Sequence, residues 1–100
     1  MANVDTKTRT IISLKEPPLF KIIYLNEERT AVEFVISSLI EHFEYTADTA
    51  QAVTMNIHES GSAVVAVLPY EVAEQKGIEI TVSARSEGYP LQIKLEPEAA

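Results

Sequence analysis

The segment YEVAEQKGIEITVSARS (residues 70–86) decides the fold, because it reads two ways. Tyr70 to Lys76 has helical character, with Val72 and Ala73 directed inward. Gly77 then weakens any helix that passes through it. The next five residues, Ile78-Glu79-Ile80-Thr81-Val82, alternate apolar and polar with period two, the pattern of a half-buried strand. Periodicity leaves helix and strand both open here. Upstream, residues 63–68 (AVVAVL) read as a continuous apolar strand, expected at the centre of a sheet and ended by Pro69. Downstream, Gly88-Tyr89-Pro90 marks a turn, and residues 91–95 (LQIKL) alternate as a strand.

The first half of the chain is less ambiguous. Leu19 to Leu25 is rich in β-branched and aromatic residues and reads as a buried strand. Val32, Val35, Ile36, Leu39, Ile40 and Phe43 recur with helical spacing, as one core face. Thr30 and Glu33 have the spacing of a capping box, which predicts a helix start at Ala31. Glu44-Tyr45 interrupts that pattern. Thr46 can cap a second helix, with Asp48 in its first turn and Ala50, Val53 and Ile57 on its core face. Gly61 suits a left-handed C-cap, and Thr54 and His58, four apart, share a helix face. The order is β-α-α-β-(α or β)-β, an α+β arrangement of helices on an antiparallel sheet. The expected organisation is an N-terminal extension over 1–17, ending near Pro17-Pro18, a core domain over 18–96, and a frayed end over 97–100.

Bulk properties exclude several function classes. One hundred residues suit one domain, here expected to be a monomer. Eight basic against fifteen acidic residues give a net charge of −7, which repels phosphate backbones and argues against nucleic-acid binding. The absence of cysteine excludes thiol catalysis and zinc–cysteine sites. No apolar run approaches the length of a membrane span, and the N-terminus lacks a secretory signature, so a cytoplasmic protein is expected.

Three polar features remain: Asn26-Glu27-Glu28, His58, and the pair Glu71 and Lys76. Taken singly, each has an ordinary explanation. Asn after a strand makes a turn, acids complement a helix start, and an imidazole suits a helix end. His42 and His58 lie on different elements without metal-ligand spacing, so no metal or cofactor is expected. Ser60 and His58 are helix neighbours that do not face each other, so no catalytic residue is assigned. Taken together, an amide carbonyl, carboxylates and an imidazole all accept hydrogen bonds. Such a set suits an ammonium group, and capture of a peptide's α-amine fits it.

The order of these features resembles the ClpS family, adaptors that deliver N-degron substrates to ClpAP-type proteases. The resemblance runs from Pro17 to about Leu95. The family's P-P-apolar-apolar-K-V lead-in appears as Pro17-Pro18-Leu19-Phe20-Lys21-Ile22, and its N-D-D as Asn26-Glu27-Glu28. Its Y-T-P-M-E-F-V appears as Arg29-Thr30-Ala31-Val32-Glu33-Phe34-Val35, and its V-H-x-x-G as Ile57-His58-Glu59-Ser60-Gly61. Its E-V-A-E-x-K matches Glu71 to Lys76, and its late A-R…P-L matches Ala84-Arg85 and Pro90-Leu91.

The resemblance implies three helices on a three-stranded antiparallel sheet (β-α-α-β-α-β), like the C-terminal domain of the ribosomal stalk protein, with residues 70–86 as one helix. It implies that Asn26, Glu27, Glu28 and His58 bind the substrate α-amine, and that Thr30, Val32, Thr54, Ile57 and Leu91 line the pocket for the first side chain. Glu71 and Lys76 would dock on the N-terminal domain of a Clp-type AAA+ ATPase, and the tail before Pro17 would serve delivery. The implied substrates are proteins with bulky hydrophobic N-terminal residues. Departures from the family concern the acids, which are Glu instead of Asp, together with Arg29, Ala31, Val32 and Thr54. A docking-only modulator and a small-molecule regulatory domain of ACT type are the rival readings.

Overall fold

The computed structural model describes residues 17–99, so nearly all of the expected N-terminal extension lies outside the described residues. Six elements follow in the order β1 (Leu19–Leu25), α1 (Val32–Phe43), α2 (Ala47–Ser60), β2 (Ser62–Pro69), α3 (Tyr70–Ser86) and β3 (Gln92–Pro97). The three strands form one antiparallel sheet in the order β2-β1-β3. The central strand is therefore β1, not the apolar segment of β2. The reason lies in how each strand is covered. Ile22 and Tyr24 of β1 are fully buried, and neighbours pair with it on both sides. In β2 only Val65 is buried, while Val64 and Val67 face outward on an edge. A continuous apolar run thus does not imply a doubly flanked strand. Between Ile22 and Ile23 the β1–β2 register shifts, leaving Val65 as an extra residue. Its carbonyl accepts a hydrogen bond from the Tyr45 hydroxyl at 2.6 Å.

The ambiguous segment is one helix, α3, from Tyr70 to Ser86. Its buried residues, Ala73, Ile80 and Ala84, recur at intervals of seven and four, the spacing of a helical face. Ile78 and Val82 are exposed, as is Val72, which was expected to point inward. In a helix, residues two apart lie roughly 200° around the axis, so Ile80 can be buried while Ile78 and Val82 are not. The two alanines carry little side-chain bulk where α3 meets the core.

In α1 the buried stripe is narrower than the apolar stripe. Val35, Ser38 and Leu39 are buried, whereas Val32 is 56 % exposed and Ile40 38 %. Ser38 holds a core position because its Oγ lies 2.8 Å from the Tyr24 hydroxyl and donates to the Val35 carbonyl. Burial pushes the Tyr24 phenol's ionisation well above its ordinary range, only partly offset by Ser38. Local chemistry sets both ends of α2. The Thr46 side chain accepts from the Thr49 N–H, and Gly61, at φ +94°, closes the helix with its own N–H on the Ile57 carbonyl. β3 continues to Pro97, and the Glu98 N–H donates to the Leu19 carbonyl at 2.9 Å.

Candidate functional site

The seam between β1 and α1 is built by backbone bonds. The Asn26 N–H donates to the Gly61 carbonyl at 2.8 Å, tying the end of β1 to the C-cap of α2. This bond brings Asn26 beside the last turn of α2, where His58 lies. The Glu27 carboxylate accepts from the Arg29 N–H at 2.6 Å, and the Thr30 N–H reaches the Glu27 carbonyl at 3.4 Å. Glu27 therefore braces the turn that leads into α1.

That turn departs from the expected cap. The helix starts at Val32 and its N-cap is Ala31, in extended conformation (φ −61°, ψ 136°) with no side-chain cap. Thr30 is instead buried, 7 % exposed, and its Oγ1 has no hydrogen-bond partner among the described residues. A capping hydroxyl must point at the first helical amides. Packing turns the Thr30 side chain into a wall, one residue before the true cap.

A hollow of about 270 Å³ opens at this seam. Asn26, Glu27, Glu28, Thr30, Val32, Thr54, Ile57, His58 and Leu91 all line it, so β1, α1, α2 and the lead-in to β3 bring every expected pocket and amine-binding position together. Tyr24, Leu25 and Val35 complete the wall. Reading the sequence did not assign these three to the site. Val35 could have been found, because it lies one helical turn after Val32. Tyr24 carried no such signal. The hollow is graded from mouth to floor: Asn26, Glu28, Val32 and His58 are exposed, whereas Ile57 and Leu91 are buried. On the far side of Val32, Thr54 and His58 lies a second, open hollow of about 440 Å³, with Ile36, Gln51 and Met55.

Glu71 and Lys76 stand apart from the hollow, in the first turns of α3. Glu71 is exposed and Lys76 half-buried. The Tyr70 hydroxyl donates to Glu74 at 2.8 Å, a bond that raises the phenol's pKa. His42 lies 3.7 Å from Glu79, and it also lines a separate hollow of about 350 Å³ with Phe34 of α1 and Ile80 of α3. Among the described residues no cluster of three or more His, Asp or Glu is arranged to hold a metal ion, and no helix is long and apolar enough to cross a membrane.

Three helices on a three-stranded antiparallel sheet, with a concave seam rimmed by hydrogen-bond acceptors, define a small α+β binding domain. Residues 15–94 match the family model described as ATP-dependent Clp protease adaptor protein ClpS. The chain belongs to the ClpS family of Clp protease adaptors. It is 39 % identical to the ATP-dependent Clp protease adapter protein ClpS 1 of Rhodopseudomonas palustris, over 98 % of this chain and 99 % of that protein. It is 41 % identical to the ClpS 1 adapter of Bradyrhizobium diazoefficiens, over 92 % and 91 % respectively. The structure of Agrobacterium tumefaciens ClpS2 bound to L-phenylalaninamide is similar with a TM-score of 0.79 and 40 % identity, covering 83 % of this chain and 100 % of that one.

Proposed function

We propose that this adaptor captures the first residue of N-degron substrates in the seam hollow and hands the chain to a Clp-type AAA+ unfoldase. The observation that carries the reading is the convergence of Asn26, Glu28 and His58 at the mouth of a hollow whose floor is Ile57 and Leu91. Asn26 Oδ1 and an imidazole nitrogen of His58 accept hydrogen bonds from the substrate's α-ammonium. The carboxylates of Glu28 and Glu27 offset its charge, which would otherwise be costly to desolvate. Thr30, Val32, Thr54, Ile57 and Leu91 surround the first side chain, whose burial supplies the affinity. The L-phenylalaninamide bound to the Agrobacterium protein, an amino-acid amide with a free amine, is chemistry of the same kind.

Glu71 and Lys76 form the contact with the N-terminal domain of the ATPase. The adaptor acts as a cytoplasmic monomer, performs no bond-breaking step itself and needs no cofactor. The tail before Pro17 serves delivery. Peptides that differ only in a free or acetylated amine test the reading. Acetylation removes the charge and two donors, so binding measured by fluorescence anisotropy is expected to vanish. Equal affinity for the two forms would overturn it.

A further inference from the structure

Among the described residues four buried side chains carry a hydroxyl: Tyr24, Thr30, Ser38 and Thr54. Ser38 is fully used, between Tyr24 and the Val35 carbonyl. Thr30 Oγ1 and Thr54 Oγ1 have no partner among the described residues, and both threonines line the seam hollow. The Thr54 case is unusual, because a threonine inside a helix can bond the carbonyl one turn back and this one does not. The hollow's remaining hydroxyl, that of Tyr24, is engaged with Ser38. The spare hydrogen-bonding capacity of the inner wall is therefore concentrated in two hydroxyls.

We infer that Thr30 and Thr54 make this hollow selective for a first side chain carrying a hydroxyl on the tip of an apolar body, tyrosine over phenylalanine. The inference rests on the amine-capture reading and refines it. Depth supports it. Asn26 and His58 are exposed at the mouth, where the amine binds, while Thr30 and Thr54 are each only 7 % exposed. The inner wall meets the part of the ligand farthest from its amine, which in tyrosine is the phenol. Neither oxygen has exposed surface in this structure; a phenol both donates and accepts, and so does each threonine hydroxyl, so a change of χ1 rotamer lets either turn to the hollow and pair with it. Phenylalanine presents a ring edge to the same atoms and leaves both unpaired, a mismatch that buried polar groups penalise.

The test uses one peptide with tyrosine, phenylalanine or 4-methylphenylalanine as its free N-terminal residue, the last matching the phenol in size. Wild-type protein is expected to bind the tyrosine peptide about tenfold more tightly than the 4-methylphenylalanine peptide, ~1.4 kcal/mol. Thr30→Val combined with Thr54→Val keeps the side-chain shape and should bring the two within about twofold, a gap well under the tenfold per ~1.4 kcal/mol scale. Phenylalanine affinity should hold or rise in that variant, because two unpaired buried hydroxyls are gone. Thr54→Ser, which keeps the hydroxyl and drops the methyl, should retain the preference. Equal binding of the tyrosine and 4-methylphenylalanine peptides by wild type overturns the inference and leaves amine capture intact. So does a tyrosine advantage that survives in the double Val variant, or one lost in Thr54→Ser. Failure of all three free-amine peptides to bind overturns amine capture itself, and the inference with it.

Discussion

The seam of β1, α1 and α2 and the first turns of α3 use similar residues in opposite ways. At the seam, Glu27 is folded back onto the Arg29 amide and the polar rim surrounds a hollow. At the start of α3, Glu71 and Tyr70 are exposed, and the bond from Tyr70 to Glu74 runs along the helix surface. A concave rim can enclose a side chain, and a ligand seated in it shields from water the hydrogen bonds to its charge, which strengthens them. An exposed helix surface can do neither, and its charges act chiefly through orientation and complementarity with a partner. On the proposed assignment, the difference teaches that recognition of a single residue and docking on a large partner need not share any side chain. The two regions should therefore fail independently.

The largest effect is expected on docking. Glu71→Lys combined with Lys76→Glu should abolish co-elution with the unfoldase's N-terminal domain, while peptide affinity stays unchanged. A parallel loss of peptide binding would break the separation of the two regions. The converse substitution is His58→Ala, which should weaken free-amine peptides by about 1.5–3 kcal/mol, the range for a hydrogen bond to a charged group. Its docking should remain intact, and calorimetric titration with each partner checks both halves.

Within the seam, Val32 sharpens the comparison further. It is 56 % exposed at the mouth of the hollow and borders the second hollow beside Ile36 and Met55. On the proposed reading, its short side chain leaves room next to a substrate's Cβ. Peptides beginning with Ile or Val should bind within about tenfold of Leu, a gap of ~1.4 kcal/mol. Val32→Met should widen that gap by selectively weakening Ile and Val. Rejection of Ile and Val by wild type a hundredfold or more, ~2.8 kcal/mol, would show that the space is not used.

The smallest effect concerns stability alone. A Cβ added at Gly77 would meet only Ile93 Cγ2, at 3.9 Å, an ordinary contact. Gly77→Ala should therefore stabilise α3 by up to about 1 kcal/mol, as helix propensity dictates. Urea denaturation would show it, and both binding events should be untouched. Destabilisation would mean that the glycine answers a backbone need in α3.

Several features were legible because their causes lie within a few residues. Thr46 and Gly61 bound α2 through their own side-chain and backbone chemistry. Residues 19–25 read as a strand at their observed limits. The convergence of the candidate positions on one hollow was also legible, since a run of polar acceptors at a strand end and a histidine near a helix end persist in order along the chain. What stayed hidden depended on neighbours far away in sequence. Five residues of period two cannot distinguish a strand from a helix that buries only its middle member, and Ile80 is that member here. The place of β1 at the sheet centre follows from strands that pair with both its edges, which no apolar run records. Thr30 shows the same limit at the scale of one side chain. Its spacing to Glu33 suits a cap, yet packing against the hollow sends the hydroxyl inward and leaves the cap to Ala31. Capping and burial compete for the same atom, and the winner is set by the tertiary environment around it. Local bonding is encoded residue by residue, whereas a concave site exists only once separate elements enclose a volume.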